Sequence, residues 1–195
     1  MKNNSTGKKV ARIVSYLFIP PVMNLLTFLY LAGFSTGKTK SNIIFISALF
    51  GVIIPIIFFV IMRRKGKIDD DDAKIKEQRS IPYLFGIFLI VIAILFSIYL
   101  HLPEIIVVVW IAYLLNSVIL LAVNGMWKMS AHAMGTAIPV GVALNFSYEM
   151  FFVFLFILLI TSWSRLKLKV HTPAQVLAGA LTGFTVTYLT IYFLV

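Results

Sequence analysis

Residues 131–162 read AHAMGTAIPVGVALNFSYEMFFVFLFILLITS, and the way this stretch divides decides the fold. As one helix it would run about 48 Å at 1.5 Å per residue, well beyond the roughly 30 Å hydrocarbon thickness of a bilayer. The polar patch Asn145-Phe146-Ser147-Tyr148-Glu149 splits it into two short apolar runs, 131–146 and 149–162, which reads as a hairpin. Within each run the apolar residues are continuous rather than alternating, which indicates helices and not barrel strands.

Comparable runs flank the hairpin at 11–34, 42–62, 81–100, 104–123 and 172–194. The whole chain of 195 residues is 61% apolar and only 12% charged, with a mean hydropathy of +0.99. A soluble domain of this length exposes too much surface to hide that composition. The reading is therefore an all-α, polytopic transmembrane bundle of about six to seven spans, seven on the division above. Residues 1–10 are expected to form a tail and 11–195 a single transmembrane domain. Pro20-Pro21 should kink the first span. Its basic start (Lys8, Lys9, Arg12) resembles a signal peptide, but no small-residue cleavage site follows, so an uncleaved span is expected. The chain has no cysteine, which excludes disulfides and thiolate chemistry. Its basic residues are scattered between apolar runs, which argues against a nucleic-acid partner.

Seven spans place the N-terminus and the loops 63–80, 124–130 and 163–171 on one face. That face carries fifteen of the seventeen Lys and Arg residues, leaving Lys38 and Lys40 on the other. The positive-inside bias then predicts a multi-pass cell-membrane protein whose N-terminus and loops face the cytoplasm.

Three segments of that face hold the polar residues that need explaining: Lys74–Pro82, Trp127–His132, and Ser164-Arg165 with His171–Gln175. Each lies at or just before the start of a span, where free N–H groups and the helix dipole favour an anion. Basic side chains, a hydroxyl and two histidines in such places point to a phosphate site. Phosphoryl transfer to the protein needs one imidazole to attack phosphorus and another to protonate the departing oxygen. Arg can neutralise the transferring group with a two-pronged fork. Gln175 stands one turn after His171 and can orient its ring, although four-residue spacing is also a frequent accident.

The run Ser164-Arg165-(five residues)-His171-(three residues)-Gln175, followed by Val-Leu-Ala-Gly-Ala-Leu-Thr-Gly, resembles the third signature of the type 2 phosphatidic acid phosphatase superfamily. Trp127-Lys128-Met129-Ser130-Ala131-His132 resembles its second signature, and Lys74–Pro82 a degenerate first one. The resemblance covers about residues 70–195 and implies a phosphatase core there. It implies that His171 is the nucleophile, that His132 is the general acid, and that Gln175 orients His171. Arg165, Ser130, Arg79 and Lys74 or Lys76 would hold the phosphate, with no metal and no cofactor. The sequence departs from the pattern in each signature. Asp72 stands seven residues before Arg79, where the family has Lys, and Pro82 follows three residues after Arg79 instead of directly; Met129 and Ala131 replace a proline and a glycine; and Gln175 replaces an acid. The His-Thr-(two residues)-Gln pattern resembles the dolichyl-diphosphatase-like branch, which implies a lipid phosphate or polyprenyl diphosphate as substrate.

Other features have plainer readings. Asp69–Asp72 reads as a solvated loop balancing Arg63, Arg64, Lys65 and Lys67, and His101 as an interfacial residue. Asn116, Asn124 and Asn145 read as helix–helix hydrogen-bonding groups and Glu149 as a hairpin tip. Gly179 and Gly183 read as a close-packing face on the last span. Two rivals stand beside the phosphatase: a non-catalytic lipid-binding or scaffolding relative with a degenerate site, and a small transporter.

Overall fold

The computed structural model describes residues 3–70 and 75–195, and the side chains of 6–70, 75 and 77–195. Among these the chain is all helical. Helix α1 spans Asn3–Leu17, α2 Pro20–Ala32, α3 Gly37–Ala48, α4 Ile54–Arg64, α5 Ser80–Tyr99, α6 Glu104–Met126, α7 Ala131–Ala143, α8 Tyr148–Lys167 and α9 Pro173–Leu194. A π-helical turn, Leu49–Ile53, joins α3 to α4, so Gly37–Arg64 forms one continuous rod.

Five of the described helical segments are long and apolar enough to cross a bilayer: Gly37–Arg64, Glu77–Tyr99, α6, α8 and α9. Helices α1 and α2 make a sixth candidate, bent by 54° at the predicted break before Pro20-Pro21. The count of seven is thereby corrected to five, or six with the bent pair. The run 131–146 became α7, whose 13 residues reach only about 20 Å. Its environment explains why so short a helix persists. Every residue from Ala133 to Ala143 is buried, so α7 lies within protein rather than against lipid. The outer faces of the long helices are apolar and exposed, as at Phe88, Leu95, Phe156 and Phe193, which suits contact with acyl chains.

Pairings fix the direction of each helix. Phe50 stacks near Phe96 and Phe58 on Phe85, so the α3–α4 rod runs antiparallel to α5. Phe28 stacks on Trp110 with centroids 4.3 Å apart, and Thr27 shares a hydrogen bond with Tyr113 at 2.9 Å. Phe34 lies by Phe146, placing the end of α2 at the α7–α8 turn. Helices α7 and α9 run side by side in parallel, in contact along their length. Their approach requires the predicted glycines: a Cβ on Gly179 would sit 2.5 Å from the Ser130 carbonyl oxygen, and one on Gly183 2.5 Å from that of Met134. Asn116 behaves as expected, its Nδ2 donating to Thr187 Oγ1 of α9 at 3.2 Å and to Ala112 O at 2.9 Å.

Helix α1 begins at Asn3, within the stretch expected to form a tail, and packs on α8. Asp71 and Asp72 lie outside the described residues. Asp69 is tied to Gln78, whose Nε2 donates to Asp69 Oδ2 at 3.0 Å.

Candidate active site

Three helix starts and two helix ends meet at one end of the bundle. Arg79 leads into α5, Lys128 and Ser130 connect α6 to α7, and Arg165 and His171 connect α8 to α9. A cavity of about 380 Å³ opens beneath them. Its polar end is formed by Arg79, His132, Arg165 and His171. Below, it is walled by Pro55 and Phe59 of α4, Phe85 of α5 and Trp110 of α6. Arg79, just before α5, and Ile90 within it both line the cavity, so it descends roughly 16 Å along that helix. Such a shape, charged at one end and apolar below, fits a polar headgroup with an attached hydrocarbon chain.

The connection from Arg165 to His171 is a tight turn. Leu168 ends α8, Lys169 adopts a left-handed backbone at φ 55°, and Val170 N returns to Arg165 O at 3.3 Å. This closes the helix and delivers His171 to the start of α9. Thr172 then caps α9: its Oγ1 accepts from Gln175 N at 3.3 Å, while Gln175 Oε1 accepts from Thr172 N at 3.0 Å. The same Gln175 Oε1 lies 3.2 Å from His171 Nδ1. Because the Thr172 N–H fixes Oε1 as an acceptor, the ring nitrogen facing it must carry the proton. The lone pair then resides on Nε2.

His171 is buried, at 8% exposure. Burial chiefly, and then the positive charges of Arg165, Arg79 and Lys128, push its pKa down to about 3, against a small upward pull from Gln175. It is therefore a neutral imidazole at neutral pH. The charges acting on it are all cationic. Arg165 is 1% and Arg79 4% exposed. Buried guanidinium groups need hydrogen-bond and charge partners, and those of Arg165 and Arg79 lie close enough to His171 to act on its protonation. The Arg79 guanidinium also donates to Tyr83.

The predicted residues fare differently. His171, His132, Arg165 and Arg79 come together at the cavity, and Gln175 sits behind His171 as expected. Ser130 does not line the cavity: it is fully buried, and its Oγ accepts from Ala133 N at 3.3 Å as the N-cap of α7. Its N–H donates to Gln175 O at 3.2 Å, so its position joins α7 to α9 behind the site. Lys74 and the Lys76 side chain lie outside the described residues. Sequence reasoning missed the role of Lys128, whose Nζ donates to Val170 O at 3.0 Å and bridges two of the three segments. It also missed the contributions of α2 and α4 to the cavity. The signal for Lys128 was its place in Trp127–His132; none existed for the walls, whose apolar residues look like any lipid-facing surface.

Compared with protein-family models, with curated proteins and with solved structures, the chain has no significant match.

Proposed function

We propose that this protein is an integral membrane phosphatase that hydrolyses a lipid phosphate or polyprenyl diphosphate through a phosphohistidine. One observation carries the reading: a neutral His171, its Nδ1–H directed at Gln175, sits among Arg165, Arg79 and Lys128 at the head of an apolar cavity. The likeness of the Arg165–Gln175 run to the type 2 phosphatidic acid phosphatase signature supports it.

In this mechanism His171 Nε2 attacks phosphorus while Arg79 and Arg165 neutralise the equatorial oxygens. His132 gives a proton to the departing alkoxide or phosphate oxygen. Water then attacks the phosphohistidine, with His132 taking its proton, and releases inorganic phosphate. Gln175 holds the ring but, being neutral, stabilises a developing imidazolium less than a carboxylate would. The substrate's chain remains in the apolar cavity, so only the headgroup needs to leave the bilayer interface. The catalysis requires no metal. The orientation that goes with this reading has the site on the cytoplasmic face, as the fifteen-to-two division of Lys and Arg implies.

Phosphate release from phosphatidate and from a polyprenyl diphosphate, by purified protein and by its His171→Ala variant, tests the proposal. Release by the wild type alone, with an acid-labile phosphoprotein trapped on His171, is the expected result. Equal release by both proteins would remove His171 from the mechanism. One observation favours the non-catalytic rival: the Ser130 hydroxyl, expected to hold phosphate, is engaged as a helix cap. A lipid-phosphate binder would bind the headgroup and yield no phosphoprotein.

A further inference from the structure

Helix α1 lies outside the region that resembles a phosphatase, yet it reaches the site. Its residues Gly7, Ala11 and Ser15 recur every four positions and form one narrow strip. That strip faces the end of α8. A Cβ on Gly7 would lie 3.2 Å from Lys167 Cε. Ala11 is fully buried, and its carbonyl oxygen accepts from Ser164 Oγ at 2.7 Å. Ser15, 2% exposed, accepts a hydrogen bond through Oγ from Arg165 Nη1. Small residues let the two helices approach closely enough for both bonds.

We propose that Ser15 is a positioning residue for Arg165, so that the N-terminal helix completes the phosphate site. This rests on reading Arg165 as a phosphate ligand. An arginine side chain has many rotamers, and its five N–H groups are useful to a phosphate only when the fork is held in one orientation. The Ser15 hydroxyl engages one Nη1 N–H on the side facing α1. The guanidinium is thereby fixed at the cavity wall, beside His171, on whose protonation it acts. Without the hydroxyl, a nearly fully buried cation loses the acceptor that holds its α1 side.

The probe is inorganic orthovanadate, a phosphate mimic, binding to the full-length protein in detergent, with lipid phosphate hydrolysis and melting temperature followed in parallel. Ser15→Ala is expected to weaken vanadate binding and lower kcat/KM by about tenfold, the effect of one hydrogen bond to a charged group. Ser15→Thr, which keeps the hydroxyl, should restore both, whereas the near-isosteric Ser15→Val should not. In an Arg165→Lys background, Ser15→Ala should cause no further loss, because the fork is already gone. Without vanadate, Ser15→Val should melt below Ser15→Thr, because it alone leaves a buried guanidinium N–H without its acceptor. Wild-type affinity in Ser15→Ala overturns the inference, as do equal losses in the Thr and Val variants that follow a lowered melting temperature. Ser15-dependent vanadate binding by a protein that hydrolyses no lipid phosphate upholds Ser15 and refutes the phosphatase. Absence of vanadate binding by the wild type overturns both.

Discussion

In the ligand-free protein, His171 is expected to stay unprotonated far below the pH at which a histidine ordinarily gains its proton. Its pKa lies at about 3 against an ordinary 6.5, a difference worth about 5 kcal/mol between the two protonation states. Burial opposes the imidazolium first, and Arg165, Arg79 and Lys128 add repulsion. The unfolded chain takes up this proton near pH 6.5, whereas the folded chain does not until about pH 3. Between those values the unfolded state binds more protons, so acidification through this window lowers stability. The chain has only three histidines, so ring-nitrogen NMR of histidine-labelled protein in micelles can follow each. One signal, lost in His171→Asn, should keep the neutral Nδ1–H form at about pH 5. Inorganic phosphate should raise that pKa, since a bound anion offsets the three cations. Titration of His171 near 6.5 without phosphate, or no response to saturating phosphate, would refute the electrostatic reading of the site.

Gln175→Ala removes both the acceptor for His171 Nδ1 and half of the α9 capping box; a loss of about 1 kcal/mol in stability and a larger fall in kcat than in KM are expected, measured by melting and steady-state kinetics. Gln175→Glu supplies a charged acceptor and should move the His171 pKa upward in the same NMR titration. Gly183→Ala forces a Cβ against the Met134 carbonyl and should cost about 1–3 kcal/mol, seen as a lower melting temperature. Lys169→Gly relieves a left-handed backbone at a non-glycine residue and should stabilise by about 1 kcal/mol, with activity retained. Because α7, though short, runs parallel to α9 and carries the chain away from the site end, a tag at the C-terminus should be accessible from outside intact cells; protection there would reverse the orientation drawn from Lys and Arg.

The long helices were legible because lipid imposes a simple rule: about twenty apolar residues in succession, read directly as α5, α6 and α9. Pro20-Pro21 likewise announced the bend between α1 and α2. The length rule misread 131–146, because a helix buried by protein on every side need not match the bilayer. The close-packing glycines of α9 hold it there, and only the structure shows that α7 is their partner. For the site, histidine and arginine stood out in an apolar sequence, so His132, His171, Arg79 and Arg165 could be named. The capping role of Ser130 was not legible, since a serine before a helix is equally a cap and a phosphate ligand. Ser15 gave no sign of reaching Arg165, 150 residues away in the chain, because that contact depends on how α1 docks.

The seam between α7 and α9 has a mechanical consequence. The Ser130–Gln175 backbone bond and the glycine contacts make the segments bearing His132 and His171 parts of one stiff body. Under the proposed function, the two imidazoles keep their spacing when a bulky lipid arrives. Helix α4, by contrast, rests mainly on α5 and on the π-turn that precedes it. On the same proposal, accommodation of a hydrocarbon chain falls to the α4 side, where the surrounding bilayer would serve as the yielding wall.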